Sequence, residues 1–211
     1  MTPEAQAVLE FWFADAAQGA EALERRANFW FGMGQDAAEI AALDDLIRSR
    51  FAHLFEQGLR GELGSWAGSP RGRLALIILL DQFSRNIHRG TARAFAGDAA
   101  ALALTTEGLK TGADRLLSAY ERVFFCMPLQ HAESLAMQEK AVEAFRSLVH
   151  EADEQQRAFV ESCVPYALQH RDIIRRFGRF PHRNAILGRA STLAERAYLV
   201  AGAPDFGQQP E

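Results

Sequence analysis

Helix-starting and helix-stopping residues recur along the whole of this 211-residue chain, and no stretch alternates apolar and polar residues as a half-buried strand would. Thr2-Pro3-Glu4 supplies a capping hydroxyl, a proline at the first helical position and an acid in the first turn. The helix it opens runs through Val8, Leu9 and Trp12. Asp36 and Glu39 have capping-box spacing ahead of Ile40, Leu43, Ile47, Phe51 and Leu54, and Gly58 with Gly61 ends that helix. Ser69-Pro70 starts the next helix, which Gly90 closes. Asp98 reads as the cap of another, stopped at Gly112. Further helices are expected over residues 118–127, 129–149 and 153–176, and the Thr192–Glu195 capping box opens a last one. The expected class is all-α, with about eight to ten helices packed as antiparallel hairpins. One domain is expected over residues 1–203, with a loosely held tail at 204–211 from which only Phe206 is excepted.

Composition narrows the function classes. With 48% hydrophobic and 24% charged residues the chain is an ordinary globular one, long enough to bury roughly 70% of its unfolded surface without a metal or disulfide. Only Cys126 and Cys163 occur, both in apolar helical surroundings, which points to a reducing compartment. No basic, then apolar, leader is present at Met1-Thr2-Pro3-Glu4, so a cytoplasmic setting is expected. The aliphatic run at 74–80 is far shorter than the ~20 residues that span a bilayer, so no membrane role is expected. A net charge of −4 argues against bulk nucleic-acid binding, which needs a basic surface. That charge is uneven. Residues 170–189 carry six arginines against Asp172, a local +5 that suggests either internal pairing or a small anionic ligand.

Three polar stretches stand out against the apolar background. In the helix over 70–89, Leu76, Leu79, Leu80, Phe83 and Ile87 share one face, and the opposite stripe changes from Leu74, Ile77 and Ile78 to Asp81, Arg85, His88 and Arg89. Gln82, Ser84 and Asn86 flank that stripe. A helix that starts apolar all round is buried there, so its second half either emerges into water or lines an internal polar cavity. The second stretch is Pro128-Leu129-Gln130-His131-Ala132-Glu133; Pro128 reads as a helix start, putting His131 and Glu133 in the first turns. The third combines His170 with the Phe177–Asn184 loop, which displays Arg179, His182, Arg183 and Asn184. Arginine's planar fork suits carboxylate or phosphate recognition. His131-Ala132-Glu133 has the H-x-E form of zinc deaminases but lacks their downstream P-C-x-x-C, so neither a metal nor another cofactor is expected. Phe11-Trp12-Phe13 and Phe29-Trp30-Phe31 are two copies of one tripeptide, read as neighbouring helices packing aromatics.

The aliphatic run with Asp81-Gln82-Phe83-Ser84-Arg85-Asn86-Ile87, the Met127–Glu133 stretch, and 177–184 with Gly188-Arg189 and Ser191-Thr192 together resemble a bacterial family, number 924 of the domains of unknown function. The resemblance extends from Phe11 to the last helix and implies a tetratricopeptide-like all-helical fold; it implies no activity. The middle motif departs at Gln130 and Ala132, where the family commonly has Glu or Met, and Ser.

Three functions compete. In the first, Arg85, Arg89, Arg179 and Arg183 bind an anionic or polar small molecule that Asp81, Asn86, His131, Glu133, His170 or His182 orient or exchange protons with. In the second, a tetratricopeptide-like groove takes a peptide or protein partner. In the third, the polar groups form a closed network that only fixes helix register. The first requires a cavity lined by all three stretches with polar groups left open; the second an open groove with an exposed apolar patch; the third every charge paired and no void.

Overall fold

The paired Phe-Trp-Phe tripeptides bring the first helices together. In the computed structural model, which describes residues 1–204 and 206–207, α1 (Pro3–Phe13) and α2 (Ala20–Phe31) each end on one copy. Trp12 stacks on Trp30 with ring centroids 6.4 Å apart, and Phe11 meets Phe29 edge-on at 6.1 Å. The last carbonyls of a helix lack partners within it. Here Arg26 donates to the carbonyls of Phe11 and Trp12, and the Trp30 indole N–H donates to Trp12 O at 2.7 Å.

The remaining helices follow their caps. α3 (Ala37–Leu59) starts at the Asp36–Glu39 capping box, and α4 (Pro70–Ile77) at the Ser69 hydroxyl. α4 continues through a π-helical stretch, Ile78–Phe83, into the short α5 (Ser84–Ile87). Every residue from 74 to 81 is buried. This run is the axis of the molecule: α1, α6 (Asp98–Thr111) and α7 (Ala119–His131) pack around α4, and α3, α6 and α7 around the π stretch. α7, α8 (Leu135–Glu151) and α9 (Glu154–Phe177) pack against one another, and α2 packs against α9. α10 (Leu193–Val200) opens at the Thr192–Glu195 capping box. No strand occurs among the described residues, and no described helix is long and apolar enough to cross a membrane.

Two expectations change. Pro128 does not begin a helix; α7 runs through it to His131, which therefore occupies a last turn. A proline inside a helix leaves the carbonyl four residues back, here Phe124 O, without its helical donor; the next carbonyl, Phe125 O, accepts from the buried Thr105 hydroxyl at 2.8 Å. Asp98 is not the cap of α6: Gly97 holds that position and frees the Asp98 carboxylate for arginines. The tail expected to be loose at 204–211 falls partly outside the described residues, 205 and 208–211 among them; within it Phe206 packs on His170 with centroids 4.0 Å apart.

Candidate functional site

Asp81 sits in the π-helical stretch with no exposed surface. A π turn adds a residue to the helical register and recurs at functional sites; here it points a carboxylate inward from an otherwise aliphatic helix. His131 Nδ1 lies 2.8 and 3.0 Å from the two Asp81 oxygens, Gln82 Nε2 donates at 2.6 Å, and Arg85 Nη1 is 3.3 Å away. Burial alone would raise the Asp81 pKa, but Arg85, His131 and the donated hydrogen bonds hold it well below the usual carboxylate range. An ionised carboxylate only accepts, so the proton of neutral His131 resides on Nδ1 and its Nε2 is a lone pair. Burial also lowers the His131 pKa, outweighing the opposite pull of Asp81. The result is a neutral imidazole oriented by a buried carboxylate, the arrangement of a general base.

A chain of charges leads outward from Asp81. Arg85 Nη1 is 3.0 Å from Asp98 Oδ1, off the hydrogen-bonding line, so the contact is an ion pair; Asp98 Oδ2 accepts from Arg183 Nη1 at 3.3 Å. The Arg183 guanidinium stacks between Phe95 and Phe180, 4.6 and 4.5 Å from their centroids. Burial lowers its pKa to about 10, which leaves it charged at neutral pH. Gly97 makes this geometry attainable. A Cβ there would lie 2.2 Å from the Leu80 carbonyl, so only glycine lets the start of α6 carry Asp98 this close to the π stretch.

His170, on α9, stands 6.0 Å from the His131 ring. Its Nδ1 donates to Tyr166 O at 2.8 Å, and burial, with His131 beside it, lowers its pKa to about 3. Arg85, His131, His170, His182 and Arg183 all line one cavity of about 560 Å³, together with Gln82, Asn86, Arg89 and Gln130. Its other wall is apolar and includes Trp12, Trp30, Met127 and Phe145, with half-exposed Phe31, Met33 and Tyr166 at the rim. Cys163 also lines it, but burial pushes that thiol up to about 12, so it is no thiolate nucleophile at neutral pH.

The three polar stretches therefore meet, though not with every residue expected. Asp81 lies beneath the cavity as the support of His131 and Arg85. Asn86 and Arg89 line it while holding Asp44: Asn86 donates at 2.9 Å, and Arg89 forks onto the two oxygens at 2.6 and 2.9 Å. Arg179 and Glu133 are excluded. Arg179 forks onto Glu195 at 2.7 and 2.8 Å and also donates to Ala190 O. Glu133 accepts the fork of Arg189 at 2.7 and 2.9 Å and the Phe180 N–H at 2.8 Å, which ties the loop after α9 to the α7–α8 turn. His88, from the aliphatic helix's polar stripe, packs on Phe55 instead. Asp44, Asp98 and Gln130 join the site without a signal in the sequence that singles them out. The acids lie singly in helical pattern, and nothing local marks them as partners of distant arginines. Gln130 stands inside the Pro128–Glu133 motif, but its open side-chain oxygen depends on what packs around it.

Several buried side-chain atoms on cavity residues have no protein partner: the donors Trp12 Nε1, Arg85 Nη2 and Arg183 Nε, and the acceptors Gln35 Oε1 and Gln130 Oε1. Buried polar groups are nearly always bonded; these five belong to residues that line one void, whereas Asp98 Oδ1 and Gln138 Oε1, also unpartnered, do not. Among the described residues no three His, Cys, Asp or Glu side chains are grouped as a metal site would need.

The family model for bacterial proteins of unknown function, DUF924, matches residues 8–203. A solved structure of the protein of unknown function ATU0120 from Agrobacterium tumefaciens is similar over 94% of this chain and 97% of that one, at 35% identity and a TM-score of 0.75. No curated protein matches.

Proposed function

Because this chain belongs to the bacterial family of unknown function DUF924, its activity has to be read from the site, and we propose that it binds a small molecule in the cavity between Arg183 and Trp12. One observation carries this reading: unpartnered buried donors and acceptors sit on residues that line the same void. Leaving such a group unpaired costs about 1–3 kcal/mol, and a ligand that pairs them recovers it. The volume of about 560 Å³ suits a molecule of metabolite size. Its polar head meets Arg85, Arg183 and Gln130, and its apolar body lies against Trp12, Trp30 and Phe145. The Nε2 lone pair of His131, backed by Asp81, is placed to take a proton from the bound molecule or from a water beside it. A closed structural network would have no use for the void. Free, buried Cys126 and Cys163 support a reducing, cytoplasmic setting.

A peptide ligand is the second reading, favoured by the chain's own tail. Phe206 lies on His170, and Gly207 O accepts from Arg89 Nη1 at 2.6 Å, so a two-residue piece of peptide already occupies one end of the cavity.

A thermal-shift screen against metabolites and short peptides tests both. A ligand at 100 times its Kd adds about 2.7 kcal/mol, worth a shift of ~2–4 °C. Arg183→Lys, which keeps the charge but loses the fork, is expected to abolish the shift, and Arg179→Lys to retain it. A shift that survives Arg183→Lys moves the site elsewhere.

A further inference from the structure

We infer that the head group this cavity accepts is electrically neutral and both gives and takes hydrogen bonds, as a carboxamide or urea does. The inference rests on the small-molecule reading above and adds the chemical class of the ligand.

The charge count is the first support. The groups facing His131 and the void are Asp81, Arg85, Asp98, Arg183, His170 and His182. Asp81 and Asp98 balance Arg85 and Arg183, linked in one chain of contacts from His131 to the Phe95 and Phe180 rings. His131 and His170 are held neutral at physiological pH. Arg89 is consumed by Asp44 and Arg189 by Glu133. An anion would therefore enter a cluster whose carboxylates and guanidiniums already balance one another and would add a buried negative charge to it, which low-polarity surroundings penalise heavily. The arginine-rich stretch at 170–189 points the same way. Arg171 and Arg175 pair with Asp172 and Glu139, Arg179 with Glu195, and Arg176 stacks over Phe177 and Tyr198. Its positive charge is spent on the protein itself.

The mixture of open groups is the second support and is independent of the first. A carboxylate or phosphate oxygen accepts hydrogen bonds and gives none. It could satisfy Arg85 Nη2 and Arg183 Nε but would leave Gln130 Oε1, like the lone pairs of His131 and His170, without a donor. A primary amide offers an oxygen to the guanidinium N–H groups and N–H to Gln130 or His131. Its planar body fits beside the indoles of Trp12 and Trp30.

Matched pairs of probes decide the matter: benzamide against benzoate, phenylacetamide against phenylacetate, and indole-3-acetamide against indole-3-acetate, titrated calorimetrically at pH 7.5 into the full chain. The expected result is at least tenfold tighter binding of the amide in every pair that binds. Gln130→Leu is expected to shrink that preference to threefold or less, and a circular dichroism spectrum confirms that the variant is folded. Equal or tighter binding of the acids overturns the inference while leaving the small-molecule reading intact, whether or not a proton is taken up with them. Failure of all six probes to bind at millimolar concentration overturns both.

Discussion

His170 shows how much of the site is set by burial of a single residue. Its ring is enclosed by Phe180 and Phe206, at centroid distances of 5.6 and 4.0 Å, and its Nδ1–H is spent on Tyr166 O. An imidazole whose pKa falls on folding is charged in the unfolded chain over a range where the folded chain keeps it neutral. The unfolded state then binds more protons, so stability is full above the unfolded value of ~6.5 and falls as the pH drops. For His170 that fall runs down to about 3, and its full extent is on the order of 5 kcal/mol. His131, lowered in the same direction, adds to it. Asp81 contributes its own acid loss only below about 4, because its folded pKa is depressed from the carboxylate value. His170→Phe is accordingly expected to flatten the melting temperature between pH 6.5 and 4.5, with His131 supplying the residual slope. Melting curves that fall as steeply in the variant as in the wild type would contradict this assignment. The sequence already marked His170 as a site candidate, but its neutral state depends on aromatic neighbours up to 36 positions away, which no local pattern reveals.

At the scale of elements, the decisive features are irregularities in otherwise well-signalled helices. Caps and stops were legible because each is a local hydrogen-bonding requirement: the boxes at Asp36 and Thr192 and the positive-φ stop at Gly112 all occur. The π turn at Ile78–Phe83 was not legible, since a residue added to the register depends on what packs around the helix. Nor was the passage of α7 through Pro128. Thr105 donates to Phe125 O in the turn that precedes it. Gln138 donates from α8 to Gln130 O at 2.6 Å and Ala132 O at 2.8 Å, closing the end of α7. The close approach of α6 to the π turn yields the sharpest test at this scale. Gly97→Ala brings a methyl 2.2 Å from the Leu80 carbonyl. Relief requires backbone movement, so a loss of about 1–3 kcal/mol in chemical denaturation is expected, with the Asp98 contacts to Arg85 and Arg183 loosened. A neutral effect on stability would mean that α6 is free to withdraw and that Asp98 does not anchor the arginines.

For the whole molecule, the convergence of the polar stretches around one void is what supports the proposed binding role. The aliphatic helix leaves two outcomes open in the sequence, a polar end that emerges into water or one that lines a cavity; buried Asp81, with Arg85, Asn86 and Arg89 lining the void, selects the second. Which charges would face the void was not foretold. The +5 stretch could equally have served a ligand, and only the positions of Asp98, Glu133, Glu139 and Glu195 show it to be paired internally. Arg179 and Arg183, four residues apart in one loop, part company for this reason: one clamps Glu195 outside the cavity and the other lines it. The most direct measurement is a crystal structure of the full chain with the tightest-binding molecule from the screen. The account predicts that molecule in the cavity, its polar head within hydrogen-bond distance of Arg183 Nε and Gln130 Oε1 and its body against Trp12. A molecule bound elsewhere, with those atoms still unpartnered, would contradict it.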